Sequence, residues 1–178
     1  MRQTGYRYCP LCATALEERS VYHQQRLVCP ACGFVHFPDP KVVVIGLVVH
    51  RAKVLLVRRA SEPAKGLWSL PGGYMDAGEM PAEALQRELH EEVGLPIQIV
   101  RFMDFFPIAS THGRNAGIVL AFYAQPADEP GVLQCAEEVS AADWFASHEL
   151  PTDLAFESTH TLLARWQSEL VGYRPAIV

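Results

Sequence analysis

Two Cys-x-x-Cys pairs, Cys9-Pro10-Leu11-Cys12 and Cys29-Pro30-Ala31-Cys32-Gly33, stand sixteen residues apart near the start of the chain. Two residues between thiols let a tight turn aim both sulfurs at one ion, and two such turns complete a tetrahedral four-sulfur Zn²⁺ site. Four thiolates leave no open position for water, so the expected role of the ion is structural. A segment as short as 1–37 seldom builds an adequate core, and metal binding supplies the missing folding energy. A pair of redox dithiols is the competing reading, but no βαβ setting of the thioredoxin kind accompanies the cysteines. His23 and His36 lie close by and are read as surface or packing side chains, because four sulfurs already fill the tetrahedron. Cys135 has no partner and is read as a small buried hydrophobe.

Phe37-Pro38-Asp39-Pro40 marks a boundary, since two prolines hold the chain extended and interrupt regular hydrogen bonding. The expected division is 1–37 and 38–178. Val42–His50 and Lys53–Arg58 read as a hairpin, and Leu67–Leu70 as a short strand that Pro71-Gly72-Gly73 breaks. Pro81–Val93 reads as a helix, with Pro81 in its first turn, Gly94 past its end, and Met80 a poor N-cap. Ile97–Phe106 and Gly117–Gln125 are expected as strands around a polar loop, Ser110–Asn115, and Asp143–Phe145 as another short strand. Leu162, Leu163, Trp166 and Leu170 recur at helical spacing in a last helix, Glu157–Val171, where the stripe reads as core. Strands and helices in mixed order point to an α/β or α+β sandwich.

Composition bounds the function. An apolar share of 49% with 20% charged residues describes a chain that buries a core. Fifteen Lys and Arg against twenty Asp and Glu give a net charge of −5, which argues against a broad nucleic-acid footprint. The first nine residues carry two arginines and no apolar stretch of the signal-peptide kind. The longest apolar run, Val42–Val49, is far short of the roughly twenty residues that span a bilayer, so no membrane partner and a cytoplasmic setting are expected. There the cysteines would be reduced or metal-bound.

The chemistry concentrates on the helix expected at Pro81–Val93. Ala82, Leu85, Leu89 and Val93 form an apolar stripe that should anchor it, and Glu88, Glu91 and Glu92 gather beside that stripe at i, i+3 and i+4. Arg87 can reach Glu91 one turn on, but one guanidinium cannot neutralise three acids and Glu79 as well. Oxygen-seeking divalent ions, Mg²⁺ or Mn²⁺, can. A solvated charged face is the bland alternative. The preceding stretch Leu70-Pro71-Gly72-Gly73-Tyr74-Met75-Asp76-Ala77-Gly78-Glu79 weighs against it, because glycine backbone can approach an ion or a phosphate closely.

Gly73, five residues, Glu79, seven residues, and then Arg87-Glu88-Leu89-His90-Glu91-Glu92-Val93-Gly94-Leu95 resemble a complete Nudix box. The resemblance implies a Nudix α/β/α sandwich with a mixed sheet, preceded by a small zinc ribbon, and hydrolysis of a nucleoside diphosphate linked to another group X. It implies that Glu88, Glu91 and Glu92 with the Gly73 carbonyl hold Mg²⁺ or Mn²⁺. It further implies that Glu79 and Arg87 hold loop against helix. Family members take the general base from the box or from a later loop, and here Glu137 and Glu138 are the late candidates, Glu138 being preferred.

Substrate choice lies outside the box. NADH pyrophosphatases of the family carry a Ser-Gln-Pro-Trp-Pro-Phe-Pro motif after it, where this chain has Asp104-Phe105-Phe106-Pro107-Ile108-Ala109-Ser110, which argues against NADH. Cys29–Val44, Gly66–Gly73 and Leu150–Ser158 are similar to a second group with a short ribbon, whose members hydrolyse FAD and ADP-ribose. An adenosine diphosphate half is therefore expected. Trp68, Phe105, Phe106 and Tyr123 could stack on a base, and Arg58, Arg59 or Arg114 could pair with phosphate. Against these stand Trp68 as core and Arg58-Arg59 as a plain strand end. The alternatives kept open are an NAD(H) or RNA-cap pyrophosphatase, a Nudix-fold nucleotide sensor without catalysis, and a structural zinc-ribbon adaptor. The resemblance also implies a homodimer.

Overall fold

The computed structural model describes residues 6–109 and 115–172. The chain divides into two compact units, 1–40 and 41–178. Among the described residues no helix is long and apolar enough to cross a membrane. Ser110 to Arg114, which include most of the expected polar loop, lie outside the described residues.

The first unit is built on a hairpin, β1 (Glu17–Val21) and β2 (Gln24–Val28), paired in register from Glu17 with Val28 to Val21 with Gln24. Its two-residue turn places Tyr22 at φ 50° and His23 at φ 62°. That is the primed geometry that suits strand twist, reached here without the usual Asn-Gly signal.

The second unit is a mixed sheet between two helices. β3 (Lys41–His50) turns through Arg51-Ala52, both at positive φ, into β4 (Lys53–Arg59). The two strands pair only near the turn, at Val49–Val54 and His50–Lys53. Beyond it they part. β3 takes β6 (Gly72–Tyr74) on one side and β8 (Asn115–Pro126), in parallel, on the other. β4 takes β5 (Trp68–Ser69) and β9 (Val139–Ala146). β7 (Ile97–Ala109) closes one edge against β8.

Alternation along the strands divides the core in two. Val44, Val48, Leu55 and Val57 pack with Leu85, Leu89 and Val93 of α1 (Pro81–Val93). Ile45, Leu47, Val54 and Leu56 pack with Leu162, Leu163 and Trp166 of α2 (Glu157–Gly172). This is the α/β/α sandwich with a mixed sheet that the sequence led us to expect.

Several local readings need correction. The strand before Pro71 does break, at Ser69, but a new strand starts directly after it: Gly72 sits at φ 136°, so close to the Val44 carbonyl that a Cβ would collide with it. The glycine thus lets β6 pair with β3. Ala84, not Ala82, is the buried alanine of α1. Leu170 is exposed, because the α2 stripe faces the sheet only as far as Trp166. Cys135 is also exposed, carried in the irregular segment between β8 and β9. β7, β8 and β9 run longer than expected because cross-strand pairing continues past their apolar centres.

Candidate active site

Two sites emerge, one in each unit. In the first, the cysteine turns repeat each other bond for bond: Cys9 N–H donates to Thr14 O and Ala13 N–H to Cys9 O, while Cys29 N–H donates to Phe34 O and Gly33 N–H to Cys29 O. The repeat aims all four sulfurs at one point. Cys9 and Cys32 Sγ are 3.5 Å apart, Cys12 and Cys29 3.5 Å, and Cys12 and Cys32 3.6 Å. Tetrahedral zinc with Zn–S near 2.3 Å needs sulfurs about 3.8 Å apart, so the cluster fits that ion. His23 is exposed, and His36 packs its ring 4.8 Å from Tyr6, so neither joins the sulfurs.

In the second unit, α1 and the loop before it are joined through one side chain. Arg87 donates through Nε to Glu79 Oε1 (2.6 Å), through Nη1 to Glu88 Oε1 and Glu91 Oε2 (both 2.9 Å), and through Nη2 to Glu79 Oε2 and the Tyr74 carbonyl. Glu79 in turn accepts from Asp76 N–H, and Glu83 accepts from Met80 N–H, which closes the start of the helix that Met80 itself leaves uncapped. The Arg87 bonds hold the Glu79 carboxyl down to about 2, and the surrounding acids raise the guanidinium above its ordinary value.

Glu92 takes no part in that network. It is buried, and its Oε2 accepts from Gly72 N–H at 2.9 Å, which ties the helix to β6. Burial pushes its carboxyl up to about 8; the Gly72 bond and nearby Arg59 oppose the shift, and Glu88 and Glu138 add to it. Burial also raises Glu88, against the bonds from Arg87, with Glu91 and Glu138 contributing repulsion. Gly73 lies directly against Glu88, where any Cβ would collide with the carboxylate. The Glu88 and Glu92 carboxylates and the Gly73 backbone therefore converge, with Glu138 close enough to be felt by both acids.

Not every candidate joins them. Glu91 is 58% exposed and turned to Arg87. Among the described residues, the four cysteines are the only group of three or more such ligand side chains gathered within 4.8 Å. The three helix acids form no such group, and two of them, Glu88 and Glu91, are bonded to Arg87. Glu137 and Glu138 are both exposed, but only Glu138 figures in the electrostatic environment of Glu88 and Glu92. Trp68 packs edge-on to Phe145, Phe105 is exposed, and Phe106 and Tyr123 pack against the α2 side of the core. Arg58 and Arg59 end β4 and are tied by Nε to the Gly66 and Pro63 carbonyls. Arg114 falls outside the described residues.

An acidic site of this kind, on a glycine-flanked helix, suits a divalent ion and a polyanionic ligand. Residues 39–166 match the family model described as NUDIX domain, and residues 7–37 match that described as Nudix N-terminal. The chain is similar to the NAD-capped RNA hydrolase NudC of Stutzerimonas stutzeri, 31% identical over 167 residues, covering 93% of this chain and 55% of the relative. It is similar to an ADP-ribose pyrophosphatase of Methanocaldococcus jannaschii, 30% identical over 131 residues, covering 72% of this chain and 76% of the relative. A crystal structure of a NUDIX hydrolase from Nitrosomonas europaea matches with a TM-score of 0.83 at 27% identity, covering 97% of both chains. The chain spans about half the length of the curated NAD-capped RNA hydrolases it matches. Matched along most of its length by both family models, the chain belongs to the Nudix family, in the form that carries an N-terminal zinc ribbon.

Proposed function

We propose that residues 38–178 hydrolyse the diphosphate linkage of a nucleoside diphosphate joined to a second group, and that 1–37 is a ribbon held by Zn²⁺ on Cys9, Cys12, Cys29 and Cys32. The observation that carries the hydrolytic reading is the meeting of Glu88, Glu92 and the Gly73 backbone, braced from the side by Arg87 and Glu79. Burial raises the proton affinity of both Glu88 and Glu92, the half-buried Glu88 adds to the rise at buried Glu92, and a divalent cation is the natural counter-charge.

Glu88 and Glu92 with the Gly73 carbonyl would hold Mg²⁺ or Mn²⁺, and Glu91 would have to leave its bond with Arg87 to join them. Such an ion supplies charge neutralisation for the diphosphate and a water of lowered pKa. The chain's own contributions are distinct. Glu79 and Arg87 hold the loop against α1, so that the Gly73 carbonyl and the Glu88 carboxylate keep their relation. The Gly72 N–H fixes the Glu92 carboxylate in the same way. Glu138, just before β9 and near enough to act electrostatically on Glu88 and Glu92, would take the proton of the attacking water. That water's oxygen joins phosphorus as the bridging P–O bond breaks, giving a nucleoside monophosphate and phosphorylated X.

For the substrate, the names of the relatives favour NAD(P)H and ADP-ribose, both with an adenosine diphosphate half, ahead of FAD. The second reading is cleavage of an NAD cap on RNA. Five of the matched relatives bear that activity in their names, while the net charge of −5 counts against a broad RNA footprint. Mg²⁺-dependent turnover of ADP-ribose, NADH, NAD⁺, FAD and an NAD-capped RNA, compared by kcat/KM, separates them. Preference for ADP-ribose or NADH supports the small-molecule reading, preference for the capped RNA the second, and binding without turnover of any would leave a sensor instead of an enzyme.

A further inference from the structure

Phe156 has a backbone that bulky residues avoid. It precedes α2 at φ 62°, in the left-handed region, although a glycine or asparagine would make the same turn without strain. The reason for the turn is visible. Asp153 to Ala155 run beside Trp68, with Trp68 N–H donating to Asp153 O and Ala155 N–H to Trp68 O, and the chain must then swing at once into the helix. The reason for a phenylalanine is not packing, since its side chain belongs to neither half of the core and the residue is 44% exposed.

What the ring does meet is Arg59, whose guanidinium carbon lies 5.3 Å from the ring centroid. Arg59 closes β4 beside the candidate site: its neighbour Ala60 donates to the Glu138 carbonyl at 2.9 Å, and Arg59 itself pairs with Val139. Its Nε is anchored on the Pro63 carbonyl at 2.7 Å. Among the described residues its other N–H groups have no acceptor and it forms no ion pair, unlike Arg87, which is saturated by acids. A strained, half-exposed aromatic ring under a cation with free donors, next to the acids, is a feature maintained at a cost that folding alone does not explain.

We infer that Arg59 and Phe156 form the subsite for the nucleotide half of the substrate, the Phe156 ring stacking on a planar base and the Arg59 guanidinium pairing with the phosphate attached to that nucleoside. The inference rests on the pyrophosphohydrolase reading and adds to it the residues that select a base-bearing substrate. Arginine suits the place because its planar fork stacks and bonds an oxyanion at once, which lysine cannot do. A stacked, anchored pair is also ordered before the ligand arrives, so less freedom is lost on binding.

The test uses AMP and ribose 5-phosphate, two phosphates that differ in the planar base, titrated calorimetrically onto the full chain with Mg²⁺ present. Phe156→Gly should weaken AMP about tenfold, as loss of one stacked base does, and leave ribose 5-phosphate within about twofold. Phe156→Tyr should restore AMP binding. Arg59→Gln should weaken both ligands. Phe156→Gly should also melt no lower than wild type, because glycine relieves the backbone, so lost affinity cannot be ascribed to unfolding. AMP affinity unmoved by both variants, or no saturable AMP binding to wild type, overturns the subsite. If the shifts appear in a protein that hydrolyses nothing, the subsite stands and the hydrolase reading falls; hydrolysis with AMP affinity unmoved has the reverse meaning.

Discussion

At the scale of single residues, the side chains that gather around Arg87 and the Gly72-Gly73 backbone were legible in the sequence, and those with a left-handed backbone were not. Glu79, Arg87, Glu88 and Glu92 could be singled out because their spacing on a helix and its leading loop is itself the signal. Arg87 meets Glu79, Glu88 and Glu91 at once, more partners than the i,i+4 rule alone suggests. Phe156 carried no such mark, since a left-handed φ in a residue other than glycine leaves no trace in composition. Cys135 was misread because burial statistics say nothing about one residue in an irregular segment. Two predictions belong here. Arg87→Lys keeps the charge but cannot bond three carboxylates and the Tyr74 carbonyl together, so kcat/KM should fall by roughly ten- to a hundredfold with little change in melting temperature. Retained activity would show that charge suffices. Ala13 occupies at φ 59° the place that Gly33 takes in the second cysteine turn, so Ala13→Gly should stabilise the ribbon by up to about 1 kcal/mol, read from its thermal unfolding in the zinc-bound protein.

At the scale of elements, α1 was readable almost to the residue, because Pro81, the apolar stripe and Gly94 all point the same way. The short strand β6 was not. Gly-Gly reads as punctuation, and only the neighbouring β3 shows that the missing Cβ atoms admit a strand. The two hairpin turns, Tyr22-His23 and Arg51-Ala52, likewise hide their geometry from sequence, since neither contains the residues that favour positive φ. α2 is fastened to β7 by Arg165, which donates to Asp104 at 2.6 Å, and by Arg101 with Glu169. The Arg165 bond holds the Asp104 carboxyl below its ordinary value. A depressed carboxyl stabilises the fold above its unfolded pKa, and that contribution is lost as pH falls through the folded one. The melting temperature of Arg165→Ala should thus lie slightly below wild type at about pH 6, and the gap should close toward about pH 3. A gap independent of pH would assign the Arg165 side chain a packing role.

For the whole molecule, two architectural statements followed from the sequence: a metal-held ribbon and a sandwich behind a proline boundary. Cysteine spacing and strand alternation are properties of many residues together, so single exceptions do not erase them. Substrate identity was the least legible: the sequence alone pointed to FAD or ADP-ribose and away from NADH, whereas relatives named for ADP-ribose, NAD(P)H and NAD-capped RNA are matched and none of these is named for FAD. The ribbon has its own global test. Wild type should carry about one zinc per chain, and Cys29→Ser, which removes a buried ligand, should lose most of it and melt earlier. Unchanged zinc and melting temperature would refute the structural assignment. The central claim, hydrolysis at the Glu88–Glu92 site, is tested most directly by AMP release from ADP-ribose in Mg²⁺ by wild type and Glu92→Gln. Glutamine can still accept the Gly72 N–H and brings no charge into a buried place, so the variant should fold as wild type does. Wild type should release AMP and ribose 5-phosphate, and the variant should lose at least about a thousandfold in rate. Full activity in a folded Glu92→Gln protein would contradict it.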